Sequence, residues 1–381
     1  MQPEDDAEQE DAAALNAALT GGRNPIEREI TGDAPFAGLT PDAALNALDE
    51  IGLRTTGQLL ALNSFENRVF QVGVEDDAGK SGFLVAKFYR PGRWSDAQIA
   101  EEHEFTAELA AHEIPSVPPL LLSGRTLHHA VGFRCAVFPR RGGRAPNLDD
   151  RLVLERIGRF LGRLHALAAA RPFVHRPALD VASFGEEPRT FLLAHDWLPQ
   201  ELREIYAGVA QQAIDVVRAC EVRAGKVQSI RVHGDVHEGN VLWTEAVTQV
   251  DRELGDRQRA DRQPGDRQPG PHFVDFDDAR MAPAVQDLWM LLGDREQMPV
   301  RLQHLLAGYE DFARFDRREL HLVEALRTLR LIQYSAWIAR RWHDPAFPAA
   351  FPWFDTPRYW ESRILELREQ IAAMQEPVLI S

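Results

Sequence analysis

The chain has 381 residues, 44% of them hydrophobic, a formal charge of -15 and a pI near 5.4. That length suits two domains or one two-lobed domain, and the acidic balance argues against sequence-independent binding to nucleic acid, which needs a basic stripe. No run reaches the apolar length of a membrane-spanning helix, and the acidic N-terminus lacks the basic and apolar regions of a secretory leader, so a cytoplasmic protein is expected.

Residues 1–35 are rich in Asp, Glu, Ala and Gln and are expected to form a disordered acidic tail, because so few large apolar groups cannot offset the entropy of ordering. Order is expected to begin near Phe36. Thr40-Pro41 opens a helix, with Thr40 as N-cap and Pro41 at the first helical position, and Gly52 ends it. Strands follow over 59–62, 68–74 and 83–89, the first two joined by Asn63-Ser64-Phe65-Glu66-Asn67. In the third, alternation puts Phe83, Val85, Lys87 and Tyr89 on one face, making Lys87 an inward cation in an apolar strand. On its own it could equally be a surface lysine at a sheet edge.

Ser95-Asp96-Ala97-Gln98 is a helix-start pattern, and the helix runs to about Glu113. Glu102 shares a face with Phe105 and Leu109, and an inward glutamate needs a cation, for which Lys87 is the expected partner. Strands are expected over 115–122 and 133–138. The Pro139 and Gly142-Gly143 that follow mark a connector near residue 139 between a first lobe (36–139) and a second (140–381). Helical periodicity covers 152–169, with His165 expected to be a hydrogen-bonded core residue, and 198–224. Residues 251–271 contain a five-residue Gly-Asp-Arg-Gln-Pro-like repeat, expected to be a tolerated insertion in a hairpin. A mostly apolar helix is expected from Asp287, and helices thereafter. Cys135 and Cys220 lie in no CxxC pair and are expected to be buried, reduced thiols.

The chemistry concentrates in His233-Gly234-Asp235-Val236-His237-Glu238-Gly239-Asn240 and, after a second short apolar run, Asp275-Phe276-Asp277-Asp278. Asp235 and Asn240 have the spacing of the kinase catalytic loop, where the acid accepts a hydroxyl proton and the amide holds a metal. Asp275 stands where such enzymes place their other metal carboxylate. The set predicts ATP as phosphate donor, Mg²⁺ bound by Asn240 and Asp275, Asp235 as base, Lys87 on phosphate oxygens with Glu102 bracing it, and backbone around Val137 at the adenine edge. Asp287 is expected to hydrogen-bond the backbone of the catalytic loop, and His237 and Glu238 to brace it. Asp277 and Asp278 could add charge behind the metal ligands or cap the next segment.

These motifs resemble the aminoglycoside-phosphotransferase and choline-kinase family, which has a bilobal α+β protein-kinase-like fold with a small antiparallel β-sheet lobe carrying one key helix and a larger helical lobe. The stretches 62–70, 85–91, 275–280, 283–289 and 340–342 are similar to a bacterial stress-response branch of that family. The resemblance covers about 36–378. It implies a monomeric, cytoplasmic serine/threonine protein kinase that also phosphorylates itself, acts in envelope and oxidative stress and opposes programmed cell death. It also implies that Ser64 contacts ATP. Departures from ordinary protein kinases are visible: no Gly-rich loop precedes Lys87, Gly234 replaces an Arg, and Asp277 replaces a Gly, so no activation-loop switch of the usual kind is expected. The same motifs serve kinases of amino alcohols, sugars and amino sugars, so a small-molecule acceptor is the alternative. A nucleotide-binding scaffold without transfer is a third reading, against which Lys87, Asp235, Asn240 and Asp275 stand together.

Overall fold

A computed structural model describes residues 34–244 and 270–378. The tail expected over 1–35 therefore falls almost wholly outside the described residues, as does most of the repeat insertion. Two compact units emerge, neither of them one continuous stretch. The smaller contains the described residues up to Asp96, Pro119–Arg140 and Arg340–Phe354; the larger contains Ala97–Pro118, Arg141–Ala339 and the C-terminal residues from Asp355. One edge falls at Arg140, beside the connector expected near residue 139. Residues 97–118, however, group with the larger unit and 340–354 with the smaller.

In the smaller unit, helix α1 (Pro41–Glu50) starts as its sequence dictates: the Thr40 side chain accepts from the Ala43 N–H at 3.1 Å, and Pro41 needs no donor in the first turn. Its Ala44, Ala47 and Leu48 pack on a five-stranded antiparallel sheet of order β1-β2-β3-β5-β4. The strands are β1 (Thr55–Leu62), β2 (Arg68–Glu75), β3 (Ser81–Phe88), β4 (His128–Ala130) and β5 (Phe133–Pro139). Phe70, Val72, Ala86, Phe88 and Val137 form its core. No strand forms over 115–122. Pro115, Pro118 and Pro119 offer no N–H to a ladder, and only isolated bridges at Ser116 and Leu122 survive. The edge position goes instead to the short β4, which the sequence reading missed.

The larger unit is mainly helical: α2 (Asp96–Ala111, all but its first residue), α3 (Arg151–Ala168), α4 (Glu187–Ala194), α5 (Gln200–Ala224), α6 (Met298–Tyr309), α7 (Val323–Arg340, all but its last residue) and α9 (Pro357–Gln375), with the short α8 (Ala346–Ala350) belonging to the smaller unit. α3 and α6 approach so closely that a Cβ on Gly158 would lie 1.9 Å from the Leu305 carbonyl oxygen, and one on Gly308 would lie 1.8 Å from that of Glu155. Two small antiparallel pairs complete the unit: β6 (Ile230–Val232) with β9 (Arg280–Ala282), and β7 (Val241–Thr244) with β8 (Gly270–Phe273). The segment expected to begin a helix at Asp287 forms two 3₁₀ turns, Ala284–Asp287 and Trp289–Leu291. The side chains of Gln286 and Asp287 are held by the loop 233–240, and this keeps the backbone there from winding into a regular helix. Both cysteines are buried and free. No helix among the described residues is long and apolar enough to cross a membrane.

Candidate active site

The two small sheets set the site. The loop 233–240 joins β6 to β7 and the loop 274–279 joins β8 to β9, so pairing β6 with β9 and β7 with β8 lays the loops side by side. The Val274 N–H donates to the Asn240 carbonyl at 3.0 Å and closes the seam. Within the first loop, the Asn240 amide donates to the Asp235 backbone carbonyl at 2.9 Å and lies 3.4 Å from Asp235 Oδ2. The amide nitrogen is thus turned toward Asp235, leaving the amide oxygen as Asn240's donor atom for a cation. Asp275 has φ 58 and ψ 63, left-handed backbone that Asp tolerates better than most residues. Asp235, Asn240 and Asp275 are therefore gathered in one unit. No cluster of three or more His, Cys, Asp or Glu able to hold a metal occurs among the described residues. One amide oxygen and one carboxylate suit Mg²⁺, a hard ion that keeps several of its waters, better than they suit a metal needing a full protein cage.

The loop is braced from behind. The Asp287 carboxylate, fully buried, accepts from the His233 and Gly234 N–H groups at 2.8 Å each. Its Oδ2 also lies 3.0 Å from His165 Nε2, whose Nδ1 meets the Tyr309 hydroxyl at 2.9 Å. The Gln286 amide donates to the Gly234 carbonyl at 2.8 Å. Gly234 itself has φ 91, and a Cβ there would sit 2.2 Å from the Asp278 carbonyl oxygen. That close approach explains why a glycine stands where ordinary kinases carry an arginine. His237 Nδ1 accepts from the Gly239 N–H at 3.0 Å, and Nε2 lies 3.5 Å from Asp235 Oδ2. Burial holds this imidazole below its usual range despite the attraction of Asp235, so it braces the loop as a neutral ring.

Two residues near this centre were missed from the sequence. Arg176, 4% exposed, donates to Glu102 Oε2 at 2.7 Å, to the Gln98 carbonyl at 2.9 Å and to the Asp277 carbonyl at 2.6 Å. It fastens α2 to the loop that carries Asp275. Phe105 of the same helix packs edge-on against Phe276, which in turn lies 4.2 Å from the His233 ring. Glu101 accepts the backbone N–H groups of Val174, His175 and Arg176. Glu102 is thus buried as its helix face required, with an arginine partner that the reading did not name. The second missed residue is Arg330 on α7, whose Nη1 donates to Asp235 Oδ1 at 2.6 Å. Partial desolvation works against the charge of this half-exposed side chain, but Asp235 outweighs that and holds the guanidinium above its ordinary range. No local sequence signal marks either arginine, since each is about a hundred residues or more from at least one group it joins.

Ser64, Lys87 and Val137 belong to the smaller unit. Lys87 is 6% exposed on β3, with its Nζ 5.2 Å from the Tyr89 ring centroid. The Val137 carbonyl accepts from the Leu120 N–H at 2.7 Å. Ser64 is half-buried in the β1–β2 loop, and that loop is anchored by charge. Glu66 meets Arg90 at 3.1 Å, Arg93 at 3.1 Å and Arg341 at 2.8 Å, while Asp344 meets Arg68 at 3.0 Å and Arg90 at 2.7 Å. Phe65 packs on Phe351 with centroids 5.2 Å apart. The stretches 62–70, 85–91 and 340–342, singled out separately in the sequence, therefore meet in one buried cluster.

The phosphotransferase enzyme family matches residues 58–251, half of the chain. The chain is 40% identical over 345 residues to stress response kinase A of Escherichia coli strain K12, covering 90% of this chain and 96% of that protein. It is 39% identical over the same length to the serine/threonine protein kinase RdoA of Salmonella typhimurium, with the same coverage. Among solved structures, the amicoumacin kinase hAmiN in complex with AMP-PNP, Ca²⁺ and Ami superposes with a TM-score of 0.63 at 18% identity, over 89% of this chain and 96% of that one. A microcompartment-associated aminopropanol kinase gives 0.61 at 18% identity, over 89% and 98%. These neighbours bear out the kinase-like fold. On the family match and the relatives' identity together, the chain belongs to the phosphotransferase enzyme family, as a kinase of the stress response kinase A group.

Proposed function

We propose that the chain is an ATP- and Mg²⁺-dependent protein kinase that phosphorylates serine and threonine hydroxyls, its own included. The observation that carries this reading is the bonded arrangement of Asp235 and Asn240 beside the Asp275 loop, held from behind by Asp287. The name of the Salmonella relative supports the acceptor class, and the nucleotide analogue and divalent ion in the hAmiN complex support the donor. In the transfer, the acceptor hydroxyl gives its proton to Asp235 and its oxygen forms a bond to the γ-phosphorus. The bond from that phosphorus to the bridging oxygen breaks, and ADP leaves. Asn240 and Asp275 would hold Mg²⁺, which when bound neutralises charge on the phosphate oxygens. Ser64, Lys87 and the backbone at Val137 are the proposed nucleotide contacts, and buried Glu102 is the acid proposed to support Lys87. The enzyme is proposed to work as a cytoplasmic monomer.

A small-molecule hydroxyl kinase remains the rival, and one incubation separates the two. The pure protein is given γ-labelled ATP and Mg²⁺, alone and with choline, ethanolamine or an aminoglycoside. Label on protein serine or threonine supports the proposal; label confined to a small product overturns it.

A further inference from the structure

The base does not stand open. Asp235 Oδ1 carries the Arg330 guanidinium at 2.6 Å, while Oδ2 is faced by the Asn240 amide at 3.4 Å and His237 Nε2 at 3.5 Å. An acceptor hydroxyl must come within about 2.6–3.2 Å of a carboxylate oxygen to pass on its proton. On the Oδ1 side it meets the Arg330 guanidinium first. The Arg330 side chain is 44% exposed, against 19% for Asp235, so the guanidinium has room to move and solvent to move into. Its charge also feels Asp278 and Tyr334. One and two turns further along α7, Tyr334 and Trp337 stack at 5.7 Å with their planes 19° apart, extending the same stretch of helix with flat aromatic surface. The chain as a whole carries a charge of -15 and would draw in cations. The positive charge that Arg330 sets on Asp235 therefore opposes the general field at that carboxylate.

We propose that Arg330 is the specificity-determining residue of the acceptor site, and that it selects serine or threonine hydroxyls flanked by an acidic side chain. This rests on the reading of Asp235 as the base. In the free enzyme Arg330 holds Asp235; as substrate binds, the guanidinium passes from Oδ1 to the carboxylate beside the acceptor, and Oδ1 takes the hydroxyl. A planar guanidinium suits this exchange, because it offers the same fork to either carboxylate. A cationic amino alcohol has nothing to draw Arg330 away and places like charge beside it.

The test uses the full chain and three peptides identical except that the residues flanking a single serine are Glu, Ala or Lys. The expected wild-type order of kcat/KM is Glu, then Ala, then Lys, spanning about tenfold or more. Arg330→Glu is expected to reverse the order and Arg330→Lys to keep it. Melting temperatures of both variants check that they fold, and if they do not, Arg330→Gln, which keeps the side chain's length and removes its charge, is expected to abolish the preference in their place. Equal rates on all three peptides, a preference for Lys, or an acid preference that survives Arg330→Glu would overturn the assignment while leaving the protein-kinase reading standing. Phosphorylation of choline or ethanolamine with no peptide labelled would overturn both.

Discussion

Asp287 shows how one buried carboxylate can set the course of a whole loop. Its two oxygens satisfy two consecutive backbone donors of the loop 233–240, and His165 steadies it in turn. Replacing it with Asn would turn one oxygen into an amide nitrogen that faces an N–H and leaves that donor without a partner in the interior. A buried donor left in that state costs roughly 2 kcal/mol. Asp287→Asn is therefore expected to lower the unfolding free energy by about that amount and the transfer rate at least tenfold, with ATP affinity kept. Urea unfolding, single-turnover transfer and nucleotide titration would check the three parts. The sequence already pointed to Asp287 as a support for this loop and to His165 as a packed, bonded histidine, because both sit in strongly patterned segments. It gave no hint of Arg176 or Arg330, since an arginine on a helix or loop has the same local signature whether it faces water or a carboxylate far along the chain.

At the scale of elements, the composition of the loop that follows Asp275 agrees with the expectation of no activation-loop switch of the usual kind. Between Asp275 and Tyr309 there is no serine, threonine or tyrosine, so phosphorylation has nothing to modify there. The loop is held instead by Arg176 on the Asp277 and Ala279 carbonyls and by Arg280 on Asp278. The 3₁₀ turn after β9 is tied further by Glu319, which is 3% exposed and accepts from the Val285 N–H at 2.8 Å. Burial pushes this carboxyl up to about 7, in spite of the backbone donors that favour its charge. The folded protein therefore keeps the proton between about pH 4.5 and 7, where the unfolded chain has lost it. The contribution of Glu319 to stability is full below that window and is lost as pH rises through it, by up to roughly 3 kcal/mol. Glu319→Gln should remove this term, so that variant-minus-wild-type stability rises steadily from pH 4.5 to 7.5 in urea titrations. A flat difference would contradict the assignment. The α3–α6 contact offers a second test. Gly158→Ala drives a methyl into the Leu305 carbonyl, which neither helix can avoid without moving apart. A loss at the upper end of the ~1–3 kcal/mol usual for overpacking is expected, read as a lower melting temperature. These helices were legible from periodicity. The strand expected over 115–122 and the helix expected from Asp287 were not formed, because prolines in one and tertiary hydrogen bonds in the other overrode the apolar pattern.

For the whole molecule, the motif His233-Gly234-Asp235 with Asn240 and Asp275 was enough to read a kinase. Residues that act on one phosphate must keep fixed spacings within loops, and fixed spacing is what a sequence displays. The return of Arg340–Phe354 to the sheet unit was invisible by the same logic. It rests on Arg341 and Asp344 meeting Glu66, Arg68 and Arg90, some 250 residues or more away in the chain. The acceptor class lies between these extremes, since the same catalytic loop can face a peptide or a small alcohol. The central claim is that Asp235 takes the proton from a protein hydroxyl, and it is tested most directly by comparing wild type with Asp235→Asn. Both proteins would be given γ-labelled Mg-ATP at saturation, and phosphoserine and phosphothreonine would be counted by mass spectrometry alongside a measured ATP affinity. Wild type should label protein hydroxyls, and the variant should lose about 10²–10⁴-fold in rate with ATP affinity unchanged. A variant that labels protein as fast as wild type would contradict the account.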